Sequence, residues 1–392
     1  GSIFLILSPR IFANSFYNNK DLVFLSFIII SSYYCVKFLR NKNVKNSLKF
    51  AFFTAIAIDI RILGILLLIT NLSLSLYKDF FDKTFVRNFF INFFSISLCL
   101  IFVIIFWPFL WEKPFDNFLF AFNNMANFSI DINNLFFGEL INAKNVPWYF
   151  LITWIFITTP ILYLFLFVIG LFFVIFNFFK DKFILTNHNS LMDLFFIILF
   201  FAPLVATVLF NSTIYNGWRQ VYFIYPGLIY LCVIGLFFIR KYFNDKLLKF
   251  SIMFLVLYII SIFYWIVSNH PHQYAYFNLL ISKKEIHKKF DIDYWGLSYK
   301  ESLEIILKND NRDKIKISNL STNKLFYPLW FFENKDRSRF VQTNINNADY
   351  LITNYYLPKE KINKFILKEN YTIFHDVIVD NFSINRVYKK NN

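Results

Sequence analysis

Apolar residues run in blocks of about twenty between residues 22 and 267, and polar residues gather into short connectors between the blocks. A hydrocarbon core about 30 Å thick takes about 20 apolar residues per helix, which predicts spans over 22–40, 89–110, 148–175, 190–210, 220–239 and 249–267. Residues 3–8 read as the tail of an earlier span, so the natural N-terminus is expected upstream of Gly1. The stretch 48–77 is too long for one crossing, because a helix of that length extends about 45 Å. It also carries Asp59 and Arg61 at its middle. Two short helices turning at Asp59-Ile60-Arg61 are expected there.

Lysine and arginine in short loops mark the cytoplasmic side of a membrane protein. Connectors 37–49, 78–87, 180–182 and 240–249 hold fourteen of them, whereas the opposite face before residue 268 holds Arg10, Lys20, Arg61, Lys113, Lys144 and Arg219. Only the hairpin reading of 48–77 puts 37–49 and 78–87 on one side. It also places 1–20, 111–147, 211–219 and everything after 268 outside. From Ser268 onward the pattern becomes that of a small α/β unit. Ser298 with Glu301 reads as a capping box opening a helix to about Lys308; Lys314–Ser318, Tyr350–Thr353 and Tyr371–Val379 read as strands, and Pro358 starts another helix. The expected fold class is mostly α. A polytopic transmembrane helical bundle of about eight spans occupies 1–267, with an outer loop 111–147 packed on the membrane surface, and an extracytoplasmic α/β domain occupies 268–392.

Composition agrees with that class. At 57% hydrophobic and 17% charged residues, with a mean hydropathy of +0.48, the chain has more apolar surface than a soluble core buries. The net charge of +15 does not imply nucleic acid, since no basic residues interleave with aromatics on a soluble face. Cys35, Cys99 and Cys232 all lie inside apolar runs, so no disulfide is expected.

Lys20, Asp21, Asp59, Arg61 and Arg219 are among the few charges before residue 268 that stand outside the basic connectors. All five fall at the outer face, where basic side chains could read an anionic, lipid-borne substrate. Asp21 occupies the first turn of a span, a place that favours a carboxylate, and Lys20 beside it can pair with phosphate. An N-capping Asp and a snorkelling Lys account for the pair as well. At a turn between half-helices Asp59 and Arg61 can face one cavity, or form an ion pair that closes the hairpin. Arg219, in Asn216-Gly217-Trp218-Arg219-Gln220, stands at the outer start of a span, where its planar fork suits phosphate. A rim arginine without a ligand is the plainer reading. Glu139 and Pro147-Trp148-Tyr149 belong to the outer loop and the next span's start, and an aromatic belt explains Trp148 and Tyr149 equally well. Asp291-Ile292-Asp293 spells an Asp-x-Asp, but no Gly-rich phosphate loop accompanies it. His270 and His272 flank Pro271 at an interfacial turn without partner ligands.

In order along the chain these residues resemble the GT-C-type integral-membrane glycosyltransferases of family 39, which includes protein O-mannosyltransferases and the bacterial aminoarabinose transferase. The resemblance rests on Pro9-Arg10 with Lys20-Asp21 before a span, Arg61 in a two-helix segment, Pro147-Trp148-Tyr149 with Thr158-Thr159-Pro160, and Arg219 ahead of Tyr225-Pro226. Tyr274-Ala275-Tyr276-Phe277-Asn278 and Asp293-Tyr294-Trp295-Gly296 add to it. It implies transfer of a sugar from a polyprenyl-phosphate donor to a lipid, glycan or protein acceptor, at the outer face of what would be a bacterial inner membrane, with no cofactor, metal or nucleic acid. Asp21 would be the family's second acidic site of the catalytic mouth, near the acceptor. Lys20, Arg61 and Arg219 would hold the lipid phosphate, with Arg10, Asp59, Glu139, Trp148 and Tyr149 as further substrate contacts. The family's principal catalytic Asp lies in a first outer loop that would precede Gly1. A transporter or lipid flippase, or a noncatalytic membrane assembly subunit, is the alternative function.

Overall fold

The computed structural model of the chain describes residues 1–126, 128, 131–180, 188–284, 286–321, 325–355, 366 and 370–391. Short helices α1 (Ser2–Ile6) and α2 (Pro9–Asn14) lead into α3 (Asp21–Arg40), α4 (Val44–Ile60), α5 (Ile65–Phe81) and α6 (Phe85–Phe106). After α7 (Pro114–Ala126) come the antiparallel pair β1 (Asn133–Phe136) and β2 (Glu139–Asn142), then α8 (Phe150–Thr158), α9 (Ile161–Lys180), α10 (His188–Leu209), α11 (Tyr225–Tyr242) and α12 (Asp245–Ser268). The remainder comprises α13 (Ser298–Asn309), β3 (Ile315–Asn319), α14 (Phe326–Leu329), α15 (Asn334–Arg337), β4 (Phe340–Gln342), β5 (Tyr350–Thr353), β6 (Tyr371–Val379) and β7 (Phe382–Lys390). Among the described residues seven helical segments are long and apolar enough to cross a membrane: Asp21–Arg40, Ile62–Phe81, Phe85–Phe106, Ile161–Lys180, Asn189–Leu209, Arg219–Tyr242 and Asp245–Ser268. The sequence pattern anticipated about eight, and α4 falls short with 17 residues.

The chain divides into two compact units. The first holds residues 1–130, 159–213 and 218–261. Within it the stretch 48–77 is a helical hairpin. Arg61 breaks the helix by adopting an extended conformation (φ −148°, ψ 128°). A single turn of 3-10 helix at Ile62–Gly64 then folds back so tightly that a Cβ on Gly64 would lie 2.7 Å from the backbone of Ala57 and Ile58. The far ends of the two arms meet again: Lys42 Nζ, just before α4, lies 2.6 Å from Asp79 in α5, and Lys78 Nζ donates to the Leu39 carbonyl at 2.9 Å. Asp79 is buried and also accepts from Asn88 and Asn92 of α6 at 2.7 Å each, so one carboxylate ties the lysine-rich ends of three helices together. Helices α9 and α11 run against each other through Gly170 and Gly235, where an added Cβ would overlap the carbonyl of Leu231 or Leu166. Small residues allow that approach between membrane helices.

The second unit holds residues 131–158, 214–217 and 262–392. Its five-stranded sheet has the order β4-β3-β5-β7-β6, with β3 parallel to β4 and β5 and β7 antiparallel to β5 and β6. Tyr299, Leu303 and Ile306 of α13 share a core with Ile315, Ile317, Tyr350, Ile352 and Val387.

Several sequence expectations change. The span expected over 148–175 is broken: α8 ends at Thr158 and α9 begins at Ile161, because Pro160 has no N–H to continue the ladder and restricts Thr159 before it. The span expected from residue 220 begins as 3-10 helix over Arg219–Ile224 and becomes α-helical at Tyr225, with Pro226 in its first turn. Inside 111–147 lie α7 and a β-hairpin, turned by Phe137 and Gly138 at positive φ. Ser298 does not open a capping box. Leu297 is the N-cap residue of α13, and the Asp293 carboxylate accepts from the backbone N–H of both Leu297 and Ser298. Glu301 instead meets His272 at 2.9 Å. Strands β4 and β7 add to the three strands expected, and the helix expected at Pro358 lies outside the described residues.

Candidate functional site at the hairpin break

Asp21 is the centre of the polar end of the first unit. It is 2% exposed, and both carboxylate oxygens are engaged: Oδ1 by Arg61 Nη2, and Oδ2 by Arg219 Nη1 at 2.9 Å and Asn18 Nδ2 at 2.9 Å. Three distant segments therefore converge on one side chain. The first turn of α3 supplies Asp21, the break in the hairpin aims Arg61, and the 3-10 turn before α11 aims Arg219. Asn18 fixes the start of α3 by accepting from the Asp21 N–H at 3.0 Å. Asn14 then accepts from Asn18 at 3.1 Å, donates to the Arg10 carbonyl at 2.8 Å and reaches Tyr222 Oη at 3.3 Å. Rings brace the 3-10 turn, with Trp218 against Tyr222 (4.6 Å) and Phe223 against Phe24 of α3 (5.1 Å).

The charge balance favours an anion. One carboxylate faces two guanidinium groups that are both mostly buried, and Lys20 adjoins them. Partial burial and then the Arg61 charge, joined by that of Arg219 and opposed only by Asp21, bring the Lys20 ammonium below the ordinary lysine range although the residue remains exposed. Arg61 Nε is buried and has no hydrogen-bond partner among the described residues. A donor left unmade in this way costs free energy until an acceptor arrives.

The other sequence candidates have different surroundings. Arg10 is buried in α2. Asp59 does not pair with Arg61. Both of its carboxylate oxygens are buried without a hydrogen-bond partner among the described residues. Glu139, Trp148 and Tyr149 belong to the second unit. There Glu139 pairs across the β-hairpin with Phe136, Trp148 is 67% exposed, and Tyr149 packs edge-on to Trp148 (5.6 Å). Asp291 and Asp293 serve separate backbone donors, Leu135 N–H at 3.0 Å and the start of α13. Each carboxylate thus accepts from a different part of the chain. Among the described residues no group of three or more His, Cys, Asp or Glu side chains could hold a metal ion.

Sequence reading missed Asn14, Asn18 and Tyr222. The asparagine-rich loop before α3 held the only signal, since Asn18 stands three residues before Asp21, the spacing of a side-chain cap. No protein-family model, curated protein or solved structure matches this chain.

Proposed function

We propose that the first unit is the catalytic bundle of a GT-C-like membrane glycosyltransferase that takes a sugar from a polyprenyl-phosphate donor. The observation that carries the reading is the cation pair Arg61 and Arg219 gathered on Asp21, with the Arg61 Nε proton unspent. In such a transfer the acceptor oxygen attacks the anomeric carbon, the bond from that carbon to the phosphate oxygen breaks, and the charge left on the phosphate is what the guanidinium groups stabilise. Asp21 holds the two arginines in place. A phosphate that draws one of them away frees a carboxylate oxygen on the acceptor side, where it can take the acceptor proton.

A second reading rests on Asp59. A carboxyl group whose oxygens are buried without a hydrogen-bond partner among the described residues is, inside a helical bundle, the kind of group that transporters use to couple movement to a proton. One experiment separates the two. In proteoliposomes with a radiolabelled polyprenyl-phosphate sugar and a suitable acceptor extract, Arg219→Ala is expected to lower product formation about 100-fold, the scale of one lost transition-state donor. The variant should remain monodisperse in detergent. Unchanged transfer by Arg219→Ala sinks the phosphate role. Passage of labelled lipid across the bilayer without any glycosidic product favours the transporter.

A further inference from the structure

The second unit carries a corner of aromatic side chains that the α/β fold does not use. Along Leu325 to Phe332 the residues alternate in pairs. Leu325, Pro328 and Leu329 are buried, and Phe332 packs on Phe340 at 6.1 Å. Phe326, Tyr327, Trp330 and Phe331 face outward with 51%, 67%, 60% and 71% of their surface exposed. Helical spacing produces this division, but here both faces are apolar. The outward rings form one patch, with Phe326 touching both Tyr327 (5.8 Å) and Trp330 (5.7 Å). An α/β unit that buries its own core gains nothing from exposing four large rings together, and a patch of this kind marks a contact.

The rim indicates what makes that contact. The Arg337 guanidinium lies 4.3 Å over the Trp330 ring, Lys335 is exposed on the same short helix, Lys314 Nζ donates to the Ser338 carbonyl at 3.1 Å, and Arg339 follows. Within 333–339 the cations Lys335, Arg337 and Arg339 outnumber Glu333 and Asp336 by one, and Lys314 joins them from just before β3 with Asp313 beside it. Aromatic rings with Lys and Arg around them are what the headgroup level of a bilayer selects, and basic side chains near that surface favour anionic lipid. The same chain supplies seven helices fit to cross a membrane, so the patch is tethered to a bilayer and a weak contact suffices to hold it there. We propose that the Phe326–Phe331 corner docks the second unit onto the interface of an anionic bilayer.

Cys35, Cys99 and Cys232 are fully buried, so a new surface cysteine can be labelled selectively in the whole chain. Phe331→Cys and, as a control on the exposed side of α13, Glu304→Cys are to carry an environment-sensitive fluorophore in nanodiscs with or without phosphatidylglycerol, and with a nitroxide-labelled lipid as quencher. The label at 331 is expected to shift to the blue and be quenched, about twofold more strongly with the anionic lipid. The label at 304 should show neither change. Adding Lys335→Glu and Arg337→Glu should abolish the preference for anionic lipid. Emission at 331 equal to that at 304 overturns the proposal, as does quenching indifferent to headgroup charge. A blue shift without quenching also overturns it, because the patch is then covered by protein.

Discussion

Single side chains in this molecule are set by what reaches them rather than by their neighbours in sequence. Asp291 and Asp310 show it in opposite directions. Burial pushes the Asp291 carboxyl up to about 8, against the one backbone N–H it accepts from Leu135. The hydrogen bonds from Arg312 bring Asp310 down to about 2. An unfolded aspartate titrates near 4, so between about pH 4 and 8 the folded second unit holds a proton on Asp291 that the unfolded chain has released. Stability therefore falls as pH rises through that window. Asp310 contributes stability that is complete above about pH 4 and is lost as pH falls through about 2. Asp291→Asn is expected to weaken the decline between pH 5 and 8, since burial raises the Asp293 carboxyl as well, while leaving the acid limb in place. Thermal unfolding of the second unit at several pH values checks it, and a variant that keeps the wild-type slope would show that Asp291 is ionised in the fold. Asp21, Arg61 and Arg219 were legible because charge is conspicuous in an apolar run. Asn14, Asn18 and Tyr222 were not, since Asn and Tyr are common in this chain and nothing local marks the ones that point at Asp21.

Among the elements, breaks matter more than spans. The hairpin 48–77 was readable from length and from charges no straight helix would keep at its middle, and its geometry turns on Arg61 and Gly64. The break at Pro160 was passed over because hydropathy averaged across a window does not register one missing N–H. Strand β7 escaped notice because the two-residue turn Asp380-Asn381, with both residues at positive φ, lacks the glycine that usually announces such a hairpin. The capping of α13 by Asp293 was equally hidden, for its carboxylate lies upstream of the spacing that a capping box requires. At this scale the close approach of α9 and α11 is the sharpest test. Gly170→Leu forces a side chain into the Leu231 carbonyl and is expected to cost about 3 kcal/mol or more. Phe172→Leu, on an outward position of the same helix that is 65% exposed, should cost little. Thermal aggregation of the detergent-solubilised variants checks this, and equal midpoints would mean that the glycine contact is dispensable.

For the whole molecule the first unit is polarised. One end ties Lys42, Lys78 and Asp79 together, the other gathers Asp21, Arg61 and Arg219, and α3 runs about 30 Å between them. If the lysine end is cytoplasmic, Lys45→Cys and Asn19→Cys, both at exposed positions, should react with a membrane-impermeant maleimide from opposite sides of sealed vesicles. Labelling of both from the same side would undo the orientation. The helices themselves were legible because each is a local run of apolar residues. The site was only partly legible because it is assembled from the ends of such runs. Asp21 and Arg219 are 198 positions apart. At about 5–20 residues per second, a ribosome needs roughly 10–40 s to get from one to the other, and in that interval Arg61 is the only one of the two arginines that has been made. A half-synthesised chain can place its early helices in the bilayer, but its anion site is assembled only when the segment before α11 is delivered, with residues 220–392 still to be made.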